Sequence, residues 1–571
     1  MPNSGHLAQA VELPVPDNFQ ELLNSNSLIL LACLIGLGSL SVLGDRRRRQ
    51  KQANAHFGGK PETAAARRLA CAQIRENRRN AVSLYVGRPQ TSPSKQTLYL
   101  PDLQRGLAVC GGPGSGKTFS IIDPVLRSAV DRGFPIILYD FKYPTQTSRL
   151  AAYALKAGYK LHIFAPGFPE SAVCNPLDFL RSPTDAEMAR QIAEVLNQNF
   201  KLMTQGSDDP FFTMAGDQLT EAVFLLAKST PYPDILMCQA LLSLDSLTAR
   251  LRNAEKLGEL NPWVLASFGQ LLSVADSEKT VASIIATANN AFTRFAKPSI
   301  LGAFCGETTL PLDLAGKQLL IVGMDRQRRD VVGPLCASIL HMLVNRNVSQ
   351  PRQDPLVLAL DELPTLYLPA LVQWLNENRE DGLVSILGFQ NLNQLEKTYG
   401  REIARAILGG CGSKAIFNPQ EYESAKLFSD FLGDEELQTH QKTKGRSAGK
   451  SNTSMAEQEK IRKLCAPEDL LKFPTGQCLL INPGYQNKQE AGIPLKLRVK
   501  VPTADIAAMK DGERLWQEKV HQRLVQRGCQ TQPTEGDLLQ RQEAARQCLP
   551  LQQTEKKLSF SLNQLKSEGL L

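Results

Sequence analysis

Eight consecutive residues, Gly-Gly-Pro-Gly-Ser-Gly-Lys-Thr, match the phosphate-loop pattern G-x-x-x-x-G-K-[ST]. In such a loop, backbone N–H groups turn inward around the phosphates, the lysine reaches the β- and γ-phosphates and the hydroxyl joins the Mg²⁺ shell. An apolar run at 106–110 and a helix-compatible segment at 119–126 flank it, a context that disfavours a chance match in a Gly-rich turn. The sequence therefore predicts that ATP and Mg²⁺ are bound by Gly111, Gly112, Pro113, Gly114, Ser115, Gly116, Lys117 and Thr118.

Two adjacent carboxylates follow another apolar run, at 355–360. Phosphoryl transfer from ATP needs a carboxylate in the metal shell and a group that orients the attacking water. We predict the first role for Asp361 and the second for Glu362. Taken alone, this segment is more typical of a strand that enters a solvated acidic turn, but its pairing with a phosphate loop favours the catalytic interpretation.

A neutral polar residue, Gln390, ends a third apolar run at 383–389. A glutamine at the end of a neighbouring strand can reach a γ-phosphate or the attacking water, so we predict a catalytic sensor role for Gln390. In the alternative interpretation, Gln390 only begins the polar helix predicted at 391–397.

Composition is that of a globular protein, with 571 residues, 42% apolar and 21% charged, enough for two or three domains. A net charge of +8 favours an anionic partner only weakly. The twelve cysteines form no C-x-x-C pair and no cluster with histidine, which disfavours a zinc site or a disulfide framework. We interpret them as reduced thiols of a cytoplasmic domain.

Residues 22–44 carry no charge, and their apolar centre at 28–43 predicts a transmembrane helix over 27–44. Acidic residues precede it and four arginines at 46–49 follow it, so the positive-inside rule places the N-terminus outside and the rest in the cytoplasm. A cleaved signal peptide would need the opposite charge order. A buried core helix is the alternative, because glycines and serines weaken the span.

Apolar runs alternate with helical patterns, which predicts an α/β fold with a mostly parallel sheet. Between 182 and 305 only helical patterns occur, including 186–200, 211–228 and 280–295, so we predict an inserted all-α domain that separates the two halves of one sheet. We interpret the Ser/Gly/Lys-rich stretch at 442–454 as a flexible loop, and the polar chain beyond 505 as a solvated appendage rather than a docked segment.

The domain boundaries follow from these shifts in pattern. The runs predicted as strands are 106–110, 134–140, 159–164, 318–323, 355–360, 383–389, 414–417 and 477–482, and a helix is predicted near 64–80. The predicted segments are an outer tail (1–26), the transmembrane helix (27–44), a basic juxtamembrane region (45–95), the first part of the nucleotide-binding domain (96–181), the all-α insertion (182–305), the second part of the nucleotide-binding domain (306–500) and a polar helical C-terminal tail (501–571).

Together these features resemble the type IV coupling proteins, the membrane ATPases of bacterial conjugation and type IV secretion. The resemblance covers about residues 100–485. It depends most on two segments, Leu-Asp-Glu-Leu-Pro-Thr at 360–365 and Gln-Asn-Leu-Asn-Gln-Leu-Glu-Lys-Thr-Tyr-Gly at 390–400, with support from Asp-Phe-Lys at 140–142 and Asn-Pro-Leu-Asp at 175–178.

The resemblance implies a RecA-like P-loop ATPase that assembles as a homo-hexamer at the inner membrane. Its expected partners are single-stranded DNA or a relaxase–DNA complex and the components of a secretion channel. Such ring motors use an arginine from the neighbouring subunit. Arg401 and Arg405 are candidates, although both are equally compatible with solvated helix charges.

Two departures from the family pattern stand out. The family commonly has two N-terminal membrane helices, whereas this sequence predicts one. In place of the family's Asp-x-Lys-Gly-Glu, the residues after Lys142 here are Tyr143-Pro144.

Two other functions stay open: a membrane motor that hands proteins to a secretion machine without DNA, and a nucleotide-binding scaffold with little turnover. The basic juxtamembrane region fits anionic lipid and DNA phosphate equally well.

Overall fold

The computed structural model describes residues 55–89, 97–204, 210–447, 450–528 and 530–551. The predicted outer tail and transmembrane helix, residues 1–44, lie outside these ranges. Among the described residues, no helix is both long and apolar enough to cross a membrane. Two compact units are present. The described residues of the smaller are 55–56 and 430–464, and those of the larger are 57–429 and 465–551.

Thirteen strands are present in the described ranges. They are β1 (Leu84–Val86), β2 (Leu98–Leu100), β3 (Leu107–Cys110), β4 (Ile136–Asp140), β5 (Lys160–Phe164), β6 (Gln318–Gly323), β7 (Leu356–Asp361), β8 (Leu383–Phe389), β9 (Ser413–Ile416), β10 (Asp434–Ser447), β11 (Lys450–Lys463), β12 (Gln477–Ile481) and β13 (Leu495–Arg498). All eight runs predicted as strands are confirmed.

The helices before the second half of the sheet are α1 (Lys60–Glu76), α2 (Asp123–Arg132), α3 (Thr145–Lys156), α4 (Ala186–Thr204), α5 (Pro210–Lys228), α6 (Ile235–Leu242), α7 (Leu247–Leu257), α8 (Pro262–Ser267), α9 (Gly269–Ser273), α10 (Glu278–Phe295) and α11 (Pro298–Leu301). The helices that follow β6 are α12 (Arg329–Val348), α13 (Leu371–Asn376), α14 (Leu392–Tyr399), α15 (Arg401–Gly410), α16 (Tyr422–Leu432), α17 (Pro467–Leu470), α18 (Thr503–Leu515), α19 (His521–Gln526) and α20 (Glu535–Cys548).

A nine-stranded sheet in the order β13-β12-β9-β3-β8-β7-β4-β6-β5 organises the larger unit. From β9 to β5 every neighbouring pair is parallel, whereas β12 pairs antiparallel with both β9 and β13. The predicted mostly parallel sheet is thus confirmed. The phosphate-loop strand β3 lies between β8 and β9, so strands from before and after residues 182–305 join in one sheet.

The central strands β3, β4, β7 and β8 are buried along their whole length, which explains why they appear in the sequence as continuous apolar runs. One face packs against the helices that follow β3 and β4. Leu107, Val109, Ile136 and Leu138 of the sheet share a core with Ile121, Val125, Leu126 and Ala129, and with Leu150, Ala151 and Ala154 of α3.

Within the described residues between 182 and 305, only helices occur. The helix α4 packs along α12, and its Asn199 clamps the backbone of Tyr367 with two bonds, donating from Nδ2 to the carbonyl oxygen at 2.7 Å and accepting from the N–H at 2.8 Å. This contact fastens the helical segment to the loop after β7.

The C-terminal segment is docked, so the interpretation of the chain beyond 505 as a solvated appendage is wrong. Met509 and Trp516 are buried at 4% exposure each, and Leu549 is fully buried. Between these anchors the polar side chains make ion pairs with distant helices, including Lys156 with Asp511 at 3.1 Å and Asp234 with Arg541 at 2.7 Å. A polar sequence pattern does not predict docking of this kind, because the charged side chains form ion pairs with residues that are far away in the sequence.

In the stretch at 442–454, the described residues 442–447 and 450–454 form strands, so the prediction of a loop is wrong for them. They lie in the antiparallel hairpin of β10 and β11, whose register runs from Asp434 opposite Lys463 to Ser447 opposite Lys450. The Ser, Gly and Lys content predicted a loop, because such residues pack poorly on a sheet surface. Two neighbouring arms can satisfy each other's backbone groups whatever their side chains.

Candidate nucleotide-binding site

A cavity of about 420 Å³ opens at the carboxyl ends of β3, β7, β4 and β8. It brings together residues as far apart in the sequence as Gly112 and Gln390. Its lining consists of Gly112, Pro113, Gly114, Ser115, Gly116, Lys117, Thr118, Phe119, Asp140, Phe141, Lys142, Thr145, Gln146, Arg149, Asp361, Glu362 and Gln390. Asp361, Glu362, Gln390 and every phosphate-loop residue except Gly111 are in this lining; Gly111 continues directly from β3.

The phosphate loop follows β3 and enters α2 through a π-helical turn, Thr118–Ile122. Gly114 and Gly116 have φ values of +75° and +92°, a region that side chains with a Cβ rarely adopt. A Cβ on Gly116 would also lie 3.1 Å from the backbone nitrogen of Gly476. These positions require glycine, as the motif predicts.

Two later segments hold the loop in place, and no motif predicted them. The Gly476 N–H donates to the Ser115 carbonyl oxygen at 2.9 Å, and the Thr475 hydroxyl donates to the Gly114 carbonyl oxygen at 3.0 Å. From the other side, the Gln420 amide donates to the Pro113 carbonyl oxygen at 2.9 Å. The N–H groups of Gly111, Gly112 and Ser115 are also bonded, to the carbonyl oxygens of Phe389, Asn418 and Gly112. These bonds fix the path of the loop from both sides.

Thr118 and Asp361 meet across the cavity floor, where the Thr118 hydroxyl donates to Asp361 Oδ2 at 2.7 Å. Burial raises the pKa of the Asp361 carboxyl above its usual range, while Lys117 and the Thr118 bond oppose that rise. The other oxygen, Oδ1, is buried and has no hydrogen-bond partner among the described residues. A buried carboxylate oxygen without a partner suits a cation.

Glu362 lies at the centre of a small polar network. Its Oε1 is 3.4 Å from Lys117 Nζ, and the Gln390 amide donates to Oε2 at 3.2 Å. Gln394 in turn donates to Gln390 Oε1 at 3.2 Å, which orients that amide. The backbone of Glu362 has φ +83°, so the chain turns sharply just after β7 and aims the side chain into the cavity.

Residues after β4 complete the cavity wall. Asp140 ends β4, and its Oδ2 accepts from the Thr147 N–H at 2.9 Å and from the Thr147 hydroxyl at 2.8 Å, an arrangement that fixes the start of α3. Lys142, Gln146 and Arg149 then face the cavity. The apolar run before Asp140 marked this loop in the sequence, but nothing distinguished Gln146 or Arg149 from other polar residues of a helix.

The family described as "Type IV secretion-system coupling protein DNA-binding domain" matches residues 99–490. That span is more than half of the chain and includes every strand of the nucleotide cavity. The chain belongs to the type IV coupling-protein family. The resemblance stated from the motifs is confirmed.

Relatives of this coupling protein agree with the assignment. Over 144 residues it is 27% identical to the coupling protein TraD of Escherichia coli (strain K12), a match that covers 25% of this chain and 20% of TraD. The chain thus spans about one fifth of the length of that relative.

Solved structures share the fold. The bacterial conjugative coupling protein TrwBdeltaN70, in its unbound monoclinic form, superposes with a TM-score of 0.53 at 14% identity, covering 74% of this chain and 93% of that one. The plasmid coupling protein TrwB in complex with ADP and Mg²⁺ gives 0.52 at 14% identity, with 74% and 94% covered. These likenesses confirm a RecA-like α/β fold.

The two arginines proposed for contact with a neighbouring subunit are exposed on α15 and do not line the cavity. Arg401 is the first residue of that helix and Arg405 lies one turn later. In this coupling protein they are therefore not part of the site that one chain forms alone.

The basic juxtamembrane region contributes to a separate groove of about 1040 Å³ between α1 and β13. Lys60, Arg67, Arg68 and Arg75 of α1 line it together with Lys496 of the edge strand. No carboxylate contributes to the lining of this groove. The predicted helix near 64–80 is confirmed as α1, and its cations are gathered on one surface.

Proposed function

We propose that this coupling protein is a membrane-anchored ATPase that uses ATP hydrolysis to recruit and translocate single-stranded DNA, or a relaxase–DNA complex, in conjugative transfer or type IV secretion. The convergence of Lys117, Thr118, Asp361, Glu362 and Gln390 on one cavity carries the proposal. A phosphate loop alone binds nucleotide, whereas hydrolysis also needs the carboxylates and the polar group that meet it here.

In this proposal each side chain has one role. The backbone N–H groups of Gly114, Gly116, Lys117 and Thr118 and the Lys117 ammonium hold the phosphates. Glu362 accepts a proton from the attacking water, and Gln390 orients that water or the terminal phosphate. The bond from Gln390 to Glu362 places the two groups side by side before any ligand arrives.

The donor set fits Mg²⁺. Thr118 offers a hydroxyl and Asp361 a carboxylate, the oxygen ligands that this ion prefers beside nucleotide phosphates. The partnerless Oδ1 of Asp361 is the observation that supports the fit. When bound, the ion would neutralise negative charge on the phosphates.

The family supports the DNA and secretion parts of the proposal. The matching family is described as a DNA-binding domain of type IV secretion-system coupling proteins. The sequence adds a transmembrane helix at 27–44 with the N-terminus outside, and a homo-hexamer at the inner membrane completes the proposed assembly.

The test is ATP hydrolysis by the full chain in a non-ionic detergent, with and without single-stranded DNA. Lys117→Ala and Glu362→Gln serve as active-site variants, and Glu402→Gln, an exposed carboxylate on α15, serves as the matched control. We expect turnover that DNA stimulates, that both active-site variants lose and that the control keeps.

Other outcomes identify the competing functions. ATP hydrolysis that DNA does not change but that a secreted protein substrate increases would indicate a protein-transfer motor. Nucleotide binding without turnover would indicate an assembly scaffold and overturn the proposal.

A further inference from the structure

Arg149 is the least expected residue of the nucleotide cavity. It lies on α3, and two carboxylates from other helices hold its guanidinium: Asp123 Oδ2 is 3.2 Å from Nη1, and Glu513 Oε1 is 2.8 Å from Nε. Asp123 begins α2, but Glu513 belongs to the C-terminal helix α18, 364 positions from Arg149. One wall of the cavity therefore depends on the C-terminal segment.

The sheet order shows which part of a nucleotide Arg149 would face. β7 lies between β8 and β4, and the phosphate loop follows β3 on the far side of β8. Asp361, at the end of β7, thus stands between the phosphate loop and the residues that follow β4. A nucleotide whose phosphates run from the loop towards Asp361 presents its terminal phosphate to this side.

The chemistry of Arg149 suits that phosphate. Guanidinium presents five N–H donors in a rigid fork, and the two carboxylates use Nε and Nη1. Arg149 lines the cavity, and among the described residues its hydrogen bonds leave the two Nη2 donors unused. Charge-assisted bonds between arginine and phosphate are among the strongest hydrogen bonds in proteins.

The C-terminal helix is built to hold its position against α3. A Cβ on Gly512 would lie 2.8 Å from the carbonyl oxygen of Arg149, so the two backbones are nearly in contact. Arg127 donates to the Asp505 carbonyl oxygen through both Nη atoms, at 2.8 and 2.7 Å. These contacts fix the backbone of α18, and with it the position of Glu513 beside Arg149.

We propose that Arg149 binds the terminal phosphate of the nucleotide and that Glu513 positions Arg149 for this contact. The inference rests on the proposed nucleotide binding and adds a specific requirement. The affinity of the site for a triphosphate, more than for a diphosphate, depends on the docked C-terminal helix.

The test compares dissociation constants of a non-hydrolysable ATP analogue and of ADP for the full chain, measured with Mg²⁺. We expect Arg149→Ala to weaken the analogue about tenfold and ADP by less than about twofold. Glu513→Gln should act in the same direction but less strongly, and Arg149→Ala combined with Glu513→Gln should be no worse than Arg149→Ala alone.

Lys156→Ala combined with Asp511→Ala is the matched control. This pair also joins α3 to α18, at 3.1 Å, but it is exposed and lines no part of the cavity. It should leave both dissociation constants unchanged. If it shifts the analogue as strongly as Glu513→Gln does, the effect belongs to helix docking in general and the positioning role is overturned.

Two further results would overturn the inference. Equal weakening of ADP and the analogue by Arg149→Ala would place its contact away from the terminal phosphate, and additive effects in the combined variant would separate Glu513 from Arg149. The Lys117→Ala variant distinguishes failure of this inference from failure of the proposed function. Loss of both nucleotides in that variant upholds the proposed site, whereas a wild-type chain that binds neither nucleotide refutes the proposed function and this inference together.

Discussion

The Nζ of Lys117 lies 3.4 Å from Oε1 of Glu362, and the two side chains are only 8% and 11% exposed. The cation that the phosphate loop supplies is thus held by the carboxylate proposed as the base. A ligand phosphate competes with Glu362 for Lys117, because a buried ammonium is weakly screened by water and interacts most strongly with its nearest anion. Nucleotide binding and the freeing of Glu362 are thereby coupled.

Glu362→Gln should separate binding from chemistry. We expect kcat for ATP hydrolysis to fall by about 100-fold or more, since a carboxamide cannot accept the proton. The affinity for ATP should stay constant or rise, because the glutamine competes less for Lys117. Steady-state hydrolysis and equilibrium binding check both parts. An unchanged kcat would remove Glu362 from the role of base.

Gly388→Ala should damage the metal-binding side of the site. A Cβ at this position of β8 would lie 2.6 Å from Asp361 Oδ1 and 3.1 Å from its Cα, closer than real contacts allow. We expect Mg²⁺-dependent nucleotide affinity to fall about tenfold and stability to drop by about 1–3 kcal/mol. Titrations of nucleotide with and without Mg²⁺, together with a urea melt, measure the two effects.

Gly409→Ala is the control for that substitution. Gly409 lies within α15, and a Cβ there would meet no atom within 4 Å. Alanine favours a helix over glycine, so this variant should be slightly more stable, by about 0.5–1 kcal/mol, with unchanged nucleotide affinity. Equal losses in both glycine variants would contradict the proposed contact with Asp361.

His341 should make the protein acid-sensitive. Burial lowers its pKa to about 4 from the ordinary 6.5. Asn345 Oδ1 accepts from the Trp374 indole, so the Asn345 amide nitrogen donates to His341 Nε2 at 2.9 Å, which requires an unprotonated Nε2. Because the unfolded chain binds this proton more readily, the contribution of His341 is complete above about pH 6.5 and is lost as the pH falls towards 4.

The sign and size of this effect can be measured against His341→Gln. The wild-type protein should lose about 3 kcal/mol more stability than the variant between pH 7 and pH 4. Urea unfolding followed by tryptophan fluorescence reports it directly, since Trp374 packs against the His341 ring at a centroid distance of 5.3 Å. Parallel pH profiles would show that another group controls the acid sensitivity.

Arg541→Ala should release the last described helix from the helical segment. Arg541 pairs with Asp234 at 2.7 Å, and the two side chains are 11% and 4% exposed. Removing the arginine leaves a buried charge, which costs about 3–5 kcal/mol. Hydrogen exchange in α20 should accelerate. Adding Asp234→Asn should restore part of the protection, and a failure to do so would mean that the ion pair does not hold α20.

The sequence predicted the parts of the site that have local signals. Lys117 and Thr118 belong to a contiguous motif, and Asp361 and Gln390 each end an apolar run, so the parallel sheet brings their ends together. The contacts of Thr475 and Gly476 with the phosphate loop have no such signal in the sequence, because they depend on where the turn before β12 lies in the folded sheet. Arg149 and Glu513 are individually ordinary helix charges, and only the docking of α18 makes them partners.

The C-terminal segment and the hairpin were mispredicted for related physical reasons. A polar, charged composition indicates solvent exposure only when no distant partner of opposite charge is available. Arg149, Lys156 and Asp234 supply such partners for Glu513, Asp511 and Arg541 of the C-terminal segment. In β10 and β11, backbone pairing overrides side chains that favour turns. Both features arise from tertiary contacts that the local pattern does not record.

The position of β3 at the middle of the sheet has a consequence for synthesis on the ribosome. Its neighbours β8 and β9 are both encoded much later, and Gln390, which follows β8, stands 280 residues after Cys110. At common elongation rates this delay is on the order of 15 to 60 s. During that time β3 is an apolar strand with two unpaired edges. Chaperone binding and aggregation compete for this strand until β8 and β9 have been synthesised.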